Sequence, residues 1–242
     1  MTIQIALDED HHVHSSFSDD AVSTVAQNVA AARDRGLRVL GLADHVRRDS
    51  AWVPDYLAAV AAMRPVPGLH VLAGVEAKIL DQAGHLDLPA GAAGADRVLI
   101  ADHQFPGELG PVHPRELRDA ITAGQVTADE AVTGLIRATA AALAMAERPQ
   151  LAHLFSILPK MGIAESSVPD GAIRYLAGRA GVTGAVLEVN EKWACPSARV
   201  VRAFAAAGVP LVASTDSHDC RDIGVYSAVP DLAGGSSPGP GP

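Results

Sequence analysis

Short apolar runs recur along the chain, separated by stretches in which apolar positions return at three- and four-residue intervals. That alternation is the pattern of a parallel sheet wrapped by helices. Seven runs read as strands: Ile3–Leu7, Leu37–Ala43, Leu69–Val75, Arg97–Ala101, Gln150–Ala152, Ala185–Asn190 and Val209–Ser214. Helical spacing predicts a helix from Val22 to Arg35 stopped by Gly36, and a second, begun by proline, from Pro54 to Met63. A third is capped by Thr127 with Glu130 three residues on, runs to about Arg148 and is closed by Pro149. Two more run from Pro169 to Ala180 and from Pro196 to Gly208. The segment Phe105 to Gln125, with prolines at 106, 111 and 114, shows no clear period. It reads as a connecting loop, with a lid as the alternative. Residues 1–233 are expected to form one domain, and 234–242, which hold only Gly, Ser and Pro, a disordered tail.

Composition narrows the class. A chain of 242 residues with 48% hydrophobic and 19% charged residues suits one compact α/β barrel. The net charge of −9 argues against a stable nucleic-acid partner, which would want a basic surface. The N-terminal residues lack the basic and apolar regions of a signal peptide, and no run approaches the roughly 20 apolar residues of a membrane span, so a cytoplasmic protein is expected. Cys195 and Cys220 are too few for a disulfide framework.

The chemistry is positional. Asp10-His11-His12-Val13-His14 follows the first run, and extended backbone can aim His12 and His14 at one point, with Asp10 near enough to orient one ring. Asp19 or Asp20 can return a carboxylate from the next loop. Later runs end in His45, Glu76, His103, His153 and the pair Asp216/His218; only the sixth lacks such a residue. In a parallel barrel all strand C-termini open on one face, where such folds keep their active sites. Donors scattered over the whole chain would therefore meet in one cup. With imidazole and carboxylate but no thiolate among them, they suit Zn, Mn or Fe.

The motifs His12-Val13-His14-Ser15, Ala43-Asp44-His45, Gly74-Val75-Glu76, His103, His153 and Asp216-Ser217-His218 stand in the order of the PHP (polymerase and histidinol phosphatase) family, which the chain resembles along nearly its whole length. The resemblance implies a distorted (β/α)7 barrel with its metal site at the C-terminal face of the strands. It also implies three divalent ions (Zn, Mn or Fe) held by His12, His14, His45, Glu76, His103, His153, Asp216 and His218. The ninth ligand position falls in the loop after His14, where Asp20 is preferred slightly to Asp19. His11 departs from the family, which usually has an apolar residue there.

On this reading Glu76, Asp216 and His218 carry the catalysis, and a hydroxide bridging the ions attacks phosphorus. Lys160 lies where histidinol-phosphatase-like members place basic residues that contact phosphate. Asn190 and Arg221 are further substrate-binding candidates, and Arg47, Arg48, Lys78 and Lys192 also lie just beyond strand ends. Trp52 and Trp193 could wall the pocket; His70, His85 and His113 read as packed or loop histidines. The expected substrate is a small phosphate monoester, histidinol-phosphate-like. A phosphodiesterase or exonuclease using the same cluster is the alternative, and a metal-dependent amidohydrolase, which usually needs eight strands, fits less well. The sequence shows no polymerase-like segment, so proofreading is not expected.

Overall fold

A computed structural model describes residues 3–234. Its strands are β1 (Glu9–Val13), β2 (Val39–Val46), β3 (His70–Lys78), β4 (Arg97–Ala101), a two-stranded hairpin of β5 (Phe105–Pro106) and β6 (Pro111–Val112), then β7 (Pro149–Leu151), β8 (Val186–Asn190) and β9 (Leu211–Ser214). The helices are α1 (Val25–Asp34), α2 (Val53–Ala62), α3 (Pro114–Thr122), α4 (Ala128–Ala142), α5 (Asp170–Thr183), α6 (Ala198–Ala206) and the short α7 (Ala228–Leu232). Seven strands form one sheet in the order β1-β2-β3-β4-β7-β8-β9, every neighbour parallel. Val13 and Ser217 form a parallel bridge across the remaining gap, and the His14 amide donates to the Ser217 carbonyl at 2.8 Å. The result is the nearly closed seven-stranded barrel that the family resemblance implied. Among the described residues no helix is long and apolar enough to cross a membrane.

Four expectations need correction. The first strand is Glu9–Val13, not Ile3–Leu7. Leu7 is exposed, and Ile3 and Ile5 are only half-buried against Val189 and Val201. Asp10, His11 and His12 are buried instead. Asp10 pairs with Thr215 and His12 Nδ1 with Glu188 inside the barrel, so hydrophobicity does not mark this strand. Second, Phe105–Gln125 is no plain loop, because the hairpin is followed by α3. Pro114 stands at the first helical position, where its missing N–H costs nothing, and the His113 ring accepts from the Arg115 amide. Third, α4 begins at the expected capping box of Thr127 and Glu130 but ends at Ala142, well short of Arg148. Fourth, α7 falls in a stretch where no helix was expected. The 234–242 tail lies, from residue 235 on, outside the described residues.

β1 carries a bulge. Its partners on β2 step from Asp10–Leu40 to Val13–Leu42, so one more residue is spent on β1 than on β2. Gly41 lies beneath it, and a Cβ there would stand 2.8 Å from the His11 carbonyl oxygen. Only glycine allows that approach.

Asp10 closes the seam beside this bulge. Its Oδ1 accepts from the Thr215 amide at 3.0 Å, and its Oδ2 from the Thr215 hydroxyl at 2.6 Å and the Gly224 amide at 2.9 Å. It turns to these donors rather than to a histidine ring. Burial pushes its carboxyl up to about 6 against the pull of these bonds, so the carboxylate is the form present at neutral pH and above. A side chain thus does at the β1–β9 seam what a ladder does elsewhere. Asp10→Ala would leave three backbone amides, those of His12, Thr215 and Gly224, and a hydroxyl without their acceptor, at a cost of about 2–4 kcal/mol. We expect that loss in the urea midpoint at pH 8 with an unchanged slope; a loss below about 1 kcal/mol would show that the seam does not depend on Asp10.

Candidate metal centre

The β2–β3 register sets His45 beside Glu76, and the two side chains meet at 2.6 Å between Nδ1 and Oε2. The other oxygen, Oε1, lies 3.1 Å from His103 Nε2 and 2.9 Å from His153 Nε2. His12 and His14 approach Oε2 with their Nε2 atoms at 3.5 and 3.6 Å. Five imidazoles from four strand ends therefore surround one fully buried carboxylate. Across the seam, Asp216 Oδ1 stands 3.2 Å from His14 Nε2. In the loop after β1, Asp20 Oδ2 stands 3.2 Å from His218 Nε2 and 3.4 Å from His45 Nε2. Asp19 lines the same cleft without such a contact. All nine residues named for metal ligation come together. His153 and Asp216 hold φ angles of 30° and 53°, a left-handed backbone that non-glycine residues adopt at a cost and that often marks functional sites.

The surroundings engage the Nδ1 side of three of these rings. Ser18 donates its only O–H to Asp44 at 2.6 Å and accepts from the His45 amide, so toward His14 Nδ1 at 3.3 Å it can only accept. Ser156 likewise donates to Asp102 at 2.8 Å and faces His153 Nδ1 at 3.1 Å. His12 Nδ1 meets Glu188 at 3.0 Å. Each of these three rings is thus held by Nδ1, with Nε2 turned inward.

Charge completes the picture. Burial lowers His14 to about 3, a neutral ring, so its Nε2 lone pair faces two carboxylate oxygens with no proton between them. Burial opposes ionisation of Glu76, but His103 and His12 outweigh it and hold the group well below the usual carboxylate range. Burial likewise opposes charge on His153, and the Asp102 and Glu76 bonds override it, raising the ring to about 10. The Nε2 atoms of His12 and His14 and Oε2 of Glu76 are buried without a hydrogen-bond partner. Unpartnered atoms converging on a dry point suit a bound cation, and this mixed imidazole–carboxylate set suits a divalent one. Three overlapping groups have donors close enough to share an ion: His14–His45–His218, His12–His14–Asp216 and His45–Glu76–His103.

Above this floor opens a cleft of about 460 Å³, rimmed by Arg47, Lys78, Lys160 and Lys192. Lys160 stands with its Nζ 4.0 Å from the Trp193 ring centre. Trp193 walls the cleft and donates its indole N–H to Asp216 Oδ2 at 2.8 Å. Two other candidates do not reach the cleft. Asn190 is buried, donating to Glu188 at 2.6 Å and accepting from the Trp193 amide at 2.8 Å. Arg221 is exposed and paired with Asp219 at 2.7 Å. Of the remaining tempting residues, Trp52 packs on Phe17 and Tyr56, His85 pairs with Asp81, and His70 is exposed at the start of β3. The sequence reading gave no role to Glu188, Asp44 or Asp102, which hold the rings or their supports. A charged residue inside the apolar run Val186–Asn190 was the available signal for the first.

Residues 10–114 match the PHP domain family. A protein named probable phosphatase from Shewanella sediminis is 33% identical over 123 residues, 48% of this chain and 50% of that protein. Another so named, from Thermoanaerobacter sp., is 31% identical over 94 residues, 38% of each chain. The matches thus span half or less of these curated relatives. The barrel is similar to that of histidinol phosphate phosphatase from Lactococcus lactis, solved with zinc, L-histidinol and phosphate: TM-score 0.64, 18% identity, 88% of this chain and 86% of that one. The segment similar to the PHP domain opens on the β1 motif and runs through His45, Glu76 and His103, so the residues that crowd the cleft floor lie largely within it.

Proposed function

We propose that this chain hydrolyses the phosphate monoester of a small metabolite, histidinol-phosphate-like in size and charge, with divalent ions held by the nine clustered residues. The convergence of unpartnered Nε2 and carboxylate lone pairs beneath a cationic rim carries the proposal. The PHP match and the phosphatase names of the relatives support it. When bound, such ions neutralise phosphate oxygens and acidify water so that hydroxide is available near pH 7. The chain's residues supply the rest. Glu76 and Asp216 provide buried negative charge to keep cations in place, and His218, half-buried, borders the open cleft. Lys160 offers a positive charge to the phosphate. A monoester carries about two negative charges at pH 7 and a diester one, so this cation favours the monoester.

The direct test is phosphate release over a panel of mono- and diesters, histidinol phosphate among them, before and after chelation. Chelation should abolish hydrolysis, and Zn or Mn should restore it. Activity that ignores chelators would end the proposal.

Glu76→Gln removes the central charge and should lower metal content and rate together. His70→Ala, at an exposed strand start, should leave metal content at the parental value. Elemental analysis of both variants decides; equal losses would show that Glu76 is not the centre of the site.

Lys160→Ala should cost roughly 1.5–3 kcal/mol on monoesters, or about ten- to a hundredfold in kcat/KM, with a smaller loss on diesters and unaltered metal content. Parental rates on monoesters would make Lys160 only a partner of the Trp193 ring.

A further inference from the structure

Glu188 is a buried carboxylate that meets four donors in the barrel interior. It lies mid-strand on β8 with no solvent exposure. Its Oε2 accepts from His12 Nδ1 at 3.0 Å and Gln150 Nε2 at 2.9 Å, and its Oε1 from Asn190 Nδ2 at 2.6 Å and the His153 amide at 3.2 Å. It lies outside the three donor groups close enough to share an ion. It does touch two of the residues that belong to the candidate centre, one through its ring and one through its backbone.

We propose that Glu188 is a positioning residue for the metal centre: it holds His12 by Nδ1 so that the unpartnered Nε2 faces the cation position, and through Asn190 it steadies the loop whose Trp193 indole holds Asp216. Each link is a hydrogen bond. His12 donates to Glu188, Asn190 donates to Glu188 and accepts from the Trp193 amide, and Trp193 Nε1 donates to Asp216 Oδ2 at 2.8 Å. One buried carboxylate thus sets the aim of a donor on β1 and of a donor after β9, the strands on either side of the seam. A histidine that ligates a metal commonly gives its other ring N–H to a carboxylate, which fixes the ring and raises its basicity. Nothing in the strand requires a charge for packing, since Val186, Leu187 and Val189 beside it are buried apolar residues.

The role rests on the metal reading above but not on any substrate, so its test measures metal and not turnover. Zinc affinity is read by competition with a chromogenic chelator in the parent, Glu188→Gln and Glu188→Leu, alongside the urea midpoint of each chelated protein. Glutamine keeps an acceptor and loses the charge; leucine loses both. We expect affinity to fall by about tenfold in E188Q and up to a hundredfold in E188L. A residue of merely structural importance would shift the urea midpoint and leave the affinity of the folded variant alone. Parental affinity in E188Q, with parental metal uptake, overturns the role of Glu188 and leaves the phosphatase proposal standing. A parent that takes up no metal overturns both.

Should E188L fail to fold, the parent itself still decides. In zinc-loaded protein with 15N-labelled histidine, His12 should be protonated at Nδ1 and bear the metal at Nε2. The reverse tautomer would overturn the proposal without any variant.

Discussion

A carboxylate taken out of water costs several kcal/mol unless opposite charge or proton donors meet it. Glu76 is taken out of water at the middle of the cleft floor, and five histidine rings crowd around it from β1, β2 and the ends of β4 and β7. That convergence depends on strand order and register. Parallel neighbours in sequence order bring the strand C-termini to one face, and the β2–β3 register puts His45 level with Glu76. The rings in turn are held from behind by serines and by further buried carboxylates. The cleft is thus an inner ring of inward-facing lone pairs and an outer ring of acceptors that fix their direction.

Net charge is the wrong scale on which to read this site. The chain carries −9 overall, yet four basic side chains border the cleft. Screening limits the reach of exposed charges to about 8–10 Å at ordinary ionic strength, so a small anion in the cleft responds to the nearby cations more than to distant surface acids. Arg221, paired with Asp219 at the surface, shows how little position in the chain says about which cations take part. It follows Asp216 and His218 closely and still points away.

The metal-capable residues were legible because they stand at strand C-termini, where parallel topology alone forces convergence. Glu188 was harder to read. It sits between apolar neighbours and looks like one more strand residue until its four donors, spread from His12 to Asn190, are brought together in space. The first strand was misplaced for a related reason. Asp10 and His12 are buried by pairing with Thr215 and Glu188, so their burial leaves no trace in local hydrophobicity. Helix α3 escaped because prolines before it suggested a loop, although Pro114 at the first helical position is compatible with a helix.

The seam between β1 and β9 gives the centre a mechanical meaning. The group His12–His14–Asp216 draws on both sides of that seam, and His14–His45–His218 does the same. An ion shared by either group would cross-link positions about two hundred residues apart. Loop-closure entropy grows slowly with length, so so long a ring forfeits much of the unfolded chain's freedom once tied. Both cysteines are free. Here the tie that extracellular domains make with a disulfide would be made by coordination bonds, and it could be undone by a chelator.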